Sequence, residues 1–375
     1  MKIGFDGKRA THNFRGLGNY SRGIIEGLYH HTGHQLFLYT PNFKDNRAKF
    51  WLQNFPKMQI RTPEGFISKN FQSYWRSFNL GNELDKDHLD IYHGLSHEIP
   101  KLPASRKFKT VVTIHDLIFL RYPEYFPKLD RIVYLKKFKY SCENSDLVIA
   151  ICEQTKSDLI NYLKVPEEKI KIHYQSASPV FLGKKSVEEI NHFKLNHQLH
   201  RPYILSVGAF EERKNQKGAI KAFNLIKNEF DVDLVLVGTG KKYLKEVKEL
   251  INQYQLNDRV KILNHFPFHS LPLIYQAAEV FFFPSFFEGF GIPIIEALFS
   301  QTPVVTSIGS CFPESAGPNS LFCDPHQIDS MAEALRQVLS NKTLQVDMKT
   351  KGFEYAQKFT LENTTKKLDQ IYKLM

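Results

Sequence analysis

The sequence predicts two α/β domains, each built on a parallel β-sheet, and three observations carry that prediction. At 375 residues the chain exceeds what one ordinary core organises and suits two, since domains run to roughly 100–200 residues. Short β-rich apolar runs alternate throughout with longer stretches of helical periodicity, the pattern of βα units that feed a parallel sheet. The pattern also restarts. After a polar stretch over 176–202, which holds S-A-S-P and a Gly183-Lys184-Lys185 step, a clean strand begins at Tyr203.

Taken in order, the first half predicts strands at 2–6, 36–40, 89–93, 110–115, 147–151 and 170–174, with helices over 19–31, 128–144 and 154–163. The second half predicts strands at 203–208, 233–238, 260–263, 280–284 and 303–306, with helices over 215–228 and 241–254 and amphipathic segments over 331–339 and 361–374. The expected domains are therefore 1–178 and 202–355, joined by a linker over 179–201, with a last segment, 356–375, packing back toward the first domain. In open parallel sheets ligands bind beyond the carboxyl ends of strands. The residues just after each strand are thus the candidates, and two facing sheets would set a site in the cleft between domains.

Composition narrows the function classes. The apolar and charged fractions, 42% and 24%, are those of a folded globular protein. The first ten residues lack the apolar core and cleavage site of a signal peptide, and no apolar run approaches the roughly 20 residues that cross a bilayer. A cytoplasmic location is expected. Cys142, Cys152, Cys311 and Cys323 form no C-x-x-C pair and no zinc spacing, which points to buried, reduced thiols. Residues 1–175 carry 27 Lys/Arg against 18 Asp/Glu, so most of the net charge of +11 sits in the first half. Such a surface suits nucleic acid, anionic lipid headgroups, a phosphorylated acceptor or plain solubility, and charge alone does not choose.

The stretch 283–297, F-P-S-F-F-E-G-F-G-I-P-I-I-E-A, is the richest in chemistry. After a buried strand, Gly289 and Gly291 let the backbone turn tightly, and Pro293 suits the first turn of a helix containing Glu296. A helix N-terminus behind a glycine turn favours an anion, a diphosphate above all. Glu288 and Glu296 are then placed to accept from sugar and ribose hydroxyls; the alternative is a shaped loop with two solvated glutamates. A-F-E-E-R-K-N-Q at 209–216 sets Arg213 and Lys214 after a strand, where cations can neutralise a leaving diphosphate without a metal; alone, the pair also fits a solvated helix start. Gly238-Thr239-Gly240 reads first as a strand-to-helix turn.

In the first half Gly16 and Gly18 follow the first strand and permit close approach to a ligand, but the third glycine of a dinucleotide fingerprint is replaced by Ser21. His115 follows a strand, where an imidazole can reach a reacting sugar or serve the core. The triplets Asp85-Lys86-Asp87 and Asp231-Val232-Asp233 precede strands, so no metal is expected. Basic and aromatic residues interleave over 66–79 (Lys69, Phe71, Tyr74, Trp75, Arg76). They do so again over 128–140, where Leu129, Ile132, Val133 and Phe138 oppose Arg131, Lys136, Lys137 and Lys139. Each suits a membrane surface, an acceptor, or an ordinary amphipathic helix with a basic outer face.

With those motifs in order, the chain resembles a family 4 glycosyltransferase of the GT-B fold over nearly its whole length. The resemblance is carried by Gly16-Leu17-Gly18-Asn19-Tyr20, H-G-L-S-H-E-I-P at 93–100, T-I-H-D-L at 113–117, V-G-A-F-E-E-R-K-N at 207–215 and the E-x7-E of Glu288 and Glu296 within P-S-F-F-E-G-F-G-I-P. It implies two Rossmann-like domains facing across a cleft and transfer of a hexose, mannose from GDP-mannose favoured and a UDP-sugar second, with retention at the anomeric carbon. The acceptor implied is a glycan or lipid-linked sugar, reached by a protein that touches the inner membrane face at its periphery. By resemblance His115, Arg213, Lys214 and Glu288 are the catalytic set. Donor contacts run over Gly16, Gly18, Gly208, Arg213, Lys214, Gly238, His265, Glu288, Gly289, Phe290, Gly291, Ile292 and Glu296, with no cofactor and no metal. The chain departs from the family at Ala209, where an arginine is frequent, at Leu263-Asn264-His265-Phe266 and in S-A-G-P-N-S after Glu314. Two competing functions are an epimerase of sugar nucleotides on the same fold, which needs no acceptor, and a basic nucleic-acid-binding protein, for which no recognition motif is present.

Overall fold

The computed structural model describes residues 1–64 and 71–375, which form two compact units. One comprises Met1–Ser176 together with Leu361–Met375, the other Ala177–Thr360. Phe66 and Lys69, part of the first basic-aromatic stretch, lie outside the described residues.

The first unit holds a seven-stranded parallel sheet: β1 (Lys2–Asp6), β2 (Gln35–Tyr39), β3 (Gln59–Arg61), β4 (Ile91–Gly94), β5 (Lys109–Ile114), β6 (Leu147–Ala150) and β7 (Ile170–Ile172). Their order across the sheet is β3-β2-β1-β4-β5-β6-β7. Both faces are covered, so side chains alternate between two cores: Ile3, Phe5 and Val111 join one, Val112, Ile114 and Val148 the other. This is why the strands read as continuous apolar runs. β3, with two exposed residues of three, carries no such run, and the sequence reading passes over it.

The helix Gly16–His31 buries Tyr20, Ile24 and Leu28 at four-residue spacing. Across it lies the last helix, Leu361–Lys373, which contributes Leu368, Ile371 and Tyr372 to the same core. A Cβ at Gly27 would fall 2.0 Å from Thr365 Oγ1, so the two helices close to a distance only glycine allows. Between helix and sheet runs a buried polar chain. Tyr372 OH lies 2.6 Å from His93 Nδ1, His93 Nε2 2.8 Å from Thr113 Oγ1, and Thr113 Oγ1 3.1 Å from Tyr20 OH. Burial drives the His93 imidazole down to about 3, which keeps it neutral.

The second unit repeats the architecture with six parallel strands: β8 (Tyr203–Val207), β9 (Asp233–Val237), β10 (Val260–Leu263), β11 (Val280–Phe283), β12 (Val304–Ser307) and β13 (Leu321–Cys323). Their order is β10-β9-β8-β11-β12-β13. β13 is a further strand the sequence reading passes over. One face packs Ile204, Leu234, Leu236, Val280 and Phe282 against the helices Gln216–Ile226 and Ile328–Ser340.

The stretch expected as a linker, 179–201, is structured. It contains the helix Val187–Asn196, started by a capping box in which Ser186 Oγ accepts from the Glu189 N–H and Glu189 accepts from the Ser186 N–H. That S-x-x-E signal was masked by the surrounding His and Asn residues. All four cysteines are buried and stand outside any disulfide, and among the described residues no helix is long and apolar enough to cross a membrane. The helix Lys128–Asn144 has the expected span but not the expected orientation. Phe138 is buried, whereas Leu129, Ile132 and Val133 face solvent.

Tyr372→Phe deletes one hydroxyl and strands the His93 nitrogen in a dry core, which costs about 1–3 kcal/mol. The expected outcome is a lower urea midpoint at an unchanged m value; an unchanged midpoint would contradict the buried chain.

Candidate functional site

In the second unit the strand order reverses direction between β8 and β11, whose carboxyl ends lie side by side, Ile204 opposite Val280 and Leu205 opposite Phe281. Such a step is where an open parallel sheet leaves a crevice. The loop after β8 makes a short 3-10 turn, Glu212–Lys214, and the loop after β11 brings Glu288 against it. Lys214 Nζ lies 2.5 Å from Glu288 Oε1, and Arg213 Nη1 lies 2.8 Å from Glu288 Oε2 while donating to the Phe287 carbonyl at 2.7 Å. Asn215 locks the junction. In the left-handed conformation at φ +55°, it donates to the carbonyls of Pro284 and Pro325 and accepts from the Gly218 N–H, which caps the next helix.

Burial alone would raise the Glu288 pKa, but Lys214 and then Arg213 outweigh it and hold the carboxyl below its ordinary range. Glu288 is therefore a buried anion clasped by two cations, not a solvated residue. Beneath Lys214 lies the Phe283 ring, 5.1 Å from Nζ to centroid. Gly208 adjoins the same lysine: a Cβ there would stand 3.6 Å from Lys214 Cδ. Gly238 is one layer back. Its Cβ would fall 1.9 Å from the Gly208 carbonyl oxygen, and its own N–H donates to Leu263. Gly238 thus lets two strand-end loops touch, and its amide is committed within the sheet.

Gly291, at φ +88°, starts the helix Ile292–Phe299, with Pro293 in the first turn. Phe290 is buried against Phe359, Gly289 and Ile292 are half-buried, and Glu296 is buried one turn further on. Tyr275 OH donates to Glu296 Oε2 at 2.9 Å. Desolvation raises the Glu296 carboxyl to about 7, against the pull of that hydrogen bond. The two glutamates of E-x7-E therefore sit in opposite electrostatic states. Tyr275, on the helix Leu271–Gln276, carried no sequence signal, since its ring looks like ordinary core. His265 is exposed beyond β10, the outer strand, two strands and about 10 Å from the β8/β11 step.

In the first unit, a Cβ at Gly18 would fall 1.6 Å from the Asn13 carbonyl oxygen, whereas Gly16 faces open space. His115 is buried after β5. Nε2 lies 2.9 Å from the Leu95 carbonyl, and Nδ1 lies 2.8 Å from Gln175 Nε2. A carbonyl only accepts, so Nε2 bears the proton and Nδ1 accepts. Desolvation lowers the imidazole to about 4 and keeps it neutral.

The equivalent step of this sheet, between β1 and β4, holds residues the sequence reading left out of its site. Arg76 lies 2.5 Å from Asp6 and 2.7 Å from Glu98, and Lys137 lies 3.1 Å from Glu98 on its other oxygen. Their signal was present, since Asp6 ends the first strand and Glu98 lies in H-G-L-S-H-E-I-P, but each charge gains meaning only from its partners. The D-x-D carboxylates are engaged elsewhere: Asp87 with Arg61 and Tyr39, Asp233 with Arg259. Among the described residues no group of three or more His, Cys, Asp or Glu is placed to hold a metal.

Two family models cover the two halves. Glycosyltransferase Family 4 matches residues 14–175, and Glycosyl transferases group 1 matches 187–355. The chain is a family 4 glycosyltransferase. The transferase is 29% identical over 294 residues to O-antigen chain mannosyltransferase B of Escherichia coli, covering 77% of this chain and 76% of that one. It is 27% identical over 243 residues to O-antigen chain mannosyltransferase RfbU of Salmonella typhimurium, covering 64% and 63%. Its fold is that of GT-B enzymes. Anabaena Alr3699/HepE, solved with UDP and glucose, superposes with a TM-score of 0.77 at 17% identity over all of both chains. WaaG, a glycosyltransferase of lipopolysaccharide biosynthesis, superposes at 0.71 and 16% identity over 99% of each.

The Glu296 state gives the transferase a pH signature. An acid whose folded pKa, about 7, exceeds its unfolded value of 4.5 stabilises the fold fully below the lower value. That contribution, on the order of 3 kcal/mol, is lost as pH rises through the higher one. Relative to Glu296→Gln, the wild-type melting temperature should fall between about pH 5 and about pH 8; parallel profiles would contradict the buried, protonated carboxyl.

Proposed function

We propose that the second unit binds a nucleotide-sugar donor, GDP-mannose by preference, and that the enzyme transfers the hexose with retention to a glycan or lipid-linked sugar on the cytoplasmic side of a membrane. The observation that carries this reading is the clasp of Arg213 and Lys214 on Glu288 at the β8/β11 step, beside the Gly291 turn. Two cations held at a strand-end crevice are preorganised for a diphosphate leaving group, whose developing charge they stabilise without reorganising. Glu288 keeps that pair from being a buried, uncompensated double charge before the donor arrives. Glu296 stands one turn inside the helix that follows, with Tyr275 of a neighbouring helix hydrogen-bonded to it, a pair suited to accept from ribose hydroxyls, and the amides of the Gly289–Gly291 turn suit the phosphate. The mannosyltransferases among the relatives favour mannose, and the two-cation site favours catalysis without a metal.

In the reaction proposed, the bond between the anomeric carbon and the diphosphate oxygen breaks as the acceptor oxygen attacks from the same face. The acceptor proton passes to the departing phosphate oxygen. His115 is proposed to meet the donor sugar as a neutral imidazole, exchanging its Gln175 or Leu95 partner for a sugar hydroxyl. Gly16 supplies a side-chain-free approach.

A donor at about 100 times its dissociation constant should add roughly 2.7 kcal/mol to stability. The expected result is thermal stabilisation by GDP and GDP-mannose above UDP and ADP counterparts, unchanged by EDTA. Glu296→Ala should weaken that response about tenfold or more, roughly 1.4 kcal/mol. Arg213→Ala with Lys214→Ala should lower turnover by on the order of 100-fold or more. Full activity in the double variant would overturn the donor assignment, and a product of inverted anomeric configuration would overturn retention.

A further inference from the structure

Beyond β1 the chain turns at once into a short helix, Lys8–His12, at the carboxyl edge of the first sheet. Gly7 permits the turn, since a Cβ there would fall 2.7 Å from the Leu38 side chain. Two contacts then fix the helix in place: Thr11 Oγ1 lies 2.7 Å from Thr40 Oγ1, and Arg22 donates to the Ala10 carbonyl at 2.8 Å. Ala10 and Thr11 are buried, and Lys8 and Arg9 are half-buried. The Lys8 N–H donates to Asp6 Oδ1 at 3.1 Å, which ties the first of these cations to the β1/β4 step.

The charges at that step do not balance. Burial and then Arg76 lower the Lys8 amine, while Glu98 and Asp6 pull the other way. Those two carboxylates are already committed, Asp6 to Arg76 and Glu98 to Arg76 and Lys137, so two negative charges meet two positive ones with none left over. Arg9 acts on the residues that follow β4 and β5. After burial, its charge helps to lower the imidazoles of His97 and His115, which stay neutral and offer it no counter-ion. Among the described residues neither the Lys8 amine nor the Arg9 guanidinium has a hydrogen-bond or ion-pair partner. In the second unit the cations beyond the sheet have Glu288 between them; here no carboxylate plays that part.

We propose that Lys8 and Arg9 form an anion subsite that takes a phosphate group of the acceptor and sets it beside His115. Position and charge select that ligand. The pair stands where an open parallel sheet receives ligands, beyond the carboxyl ends of its strands at the reversal of strand order. A phosphate ester carries about −1.5 to −2 charges at neutral pH, the complement of two unanswered cations. Lys8 meets it as a compact charge and Arg9 as a fork that can bind two oxygens. A neutral glycan end would leave both cations without a counter-ion in a setting that water screens poorly. The subsite rests on the transferase reading and narrows its acceptor to a phosphorylated one, either a phosphosugar or a sugar linked through diphosphate to a lipid.

The test uses the full chain carrying Arg213→Ala with Lys214→Ala, so that phosphate held by the cations of the second unit does not contribute. Titration calorimetry compares mannose 6-phosphate with mannose, and a short-chain prenyl diphosphate-linked mannose with the uncharged prenyl mannoside. Each phosphorylated probe should bind more tightly than its neutral counterpart, and the tighter of the two tells which source of phosphate the subsite prefers. Adding Lys8→Gln and Arg9→Gln should weaken phosphate binding on the order of 100-fold, since each charge-assisted contact contributes about tenfold. The melting temperature should not change, because neither side chain has a partner to lose; Lys8→Arg with Arg9→Lys, which keeps both charges, should retain most of the binding. Equal binding of phosphorylated and neutral probes would overturn the inference, as would absent binding to every probe or phosphate binding that survives both glutamine substitutions. Stabilisation by GDP-mannose of the chain with Arg213 and Lys214 in place separates the two proposals. A donor response without phosphate selectivity sinks this one alone, and phosphate selectivity that Lys8 and Arg9 carry, without a donor response, sinks the donor assignment alone.

Discussion

A buried carboxylate with two cations on it constrains the second domain more than any other contact. Glu288 in a dry setting would cost several kcal/mol if unpaired, so the fold must deliver Lys214 and Arg213 to its two oxygens. That requirement fixes how the loops after β8 and β11 meet. It explains the left-handed Asn215, whose side chain ties the first loop to Pro284, and the glycine at 238, where any side chain would strike the Gly208 carbonyl. A parallel sheet makes the arrangement possible, because every strand delivers its carboxyl end to the same edge.

The first domain meets the same problem at the same place in its sheet. Asp6 and Glu98 flank Arg76 beyond β1 and β4, so each sheet reverses direction beside a buried arginine–carboxylate contact. Away from that step the first domain relies on neutral polar chemistry. His93 and His115 are desolvated, uncharged and hydrogen-bonded at both ring nitrogens. Mobile positive charge is thereby kept out of its interior, while its surface carries most of the net positive charge of the chain. The helix Lys128–Asn144 places part of that charge around an outward apolar stripe.

The two acidic residues of E-x7-E show how one motif yields two chemistries. Both are buried to a similar degree, so desolvation acts on both in the same direction. What separates them is the partner. Glu288 has a lysine and an arginine and stays ionised; Glu296 has a tyrosine hydroxyl and is raised toward neutrality. An ionised carboxylate suits the task of holding cations in register, and a carboxyl near neutrality can both donate and accept.

Read alone, the amino-acid sequence determined the two α/β domains and most of the strands to within a residue or two, and it singled out the stretch 283–297, whose Glu288 the fold sets against Arg213 and Lys214. Periodic burial leaves a linear trace: strands covered on both faces are unbroken apolar runs, and a glycine turn before a proline-led helix is written in consecutive letters. It missed β3, two of whose three residues are exposed, and β13, an edge strand of only three residues, too short to leave a telling run, and took the capped helix Val187–Asn196 for linker. Only the tertiary structure decided which charges are partners. Glu288 finds Lys214 from 74 residues away, Asp6 finds Arg76 from 70 and Tyr372 finds His93 from 279, separations over which sequence spacing carries no geometric information. The same holds for the helix Lys128–Asn144, whose pattern of apolar and basic residues is legible while the face that turns inward is not. That choice depends on what the neighbouring strands and helices leave uncovered, a property of the packed domain and not of the segment.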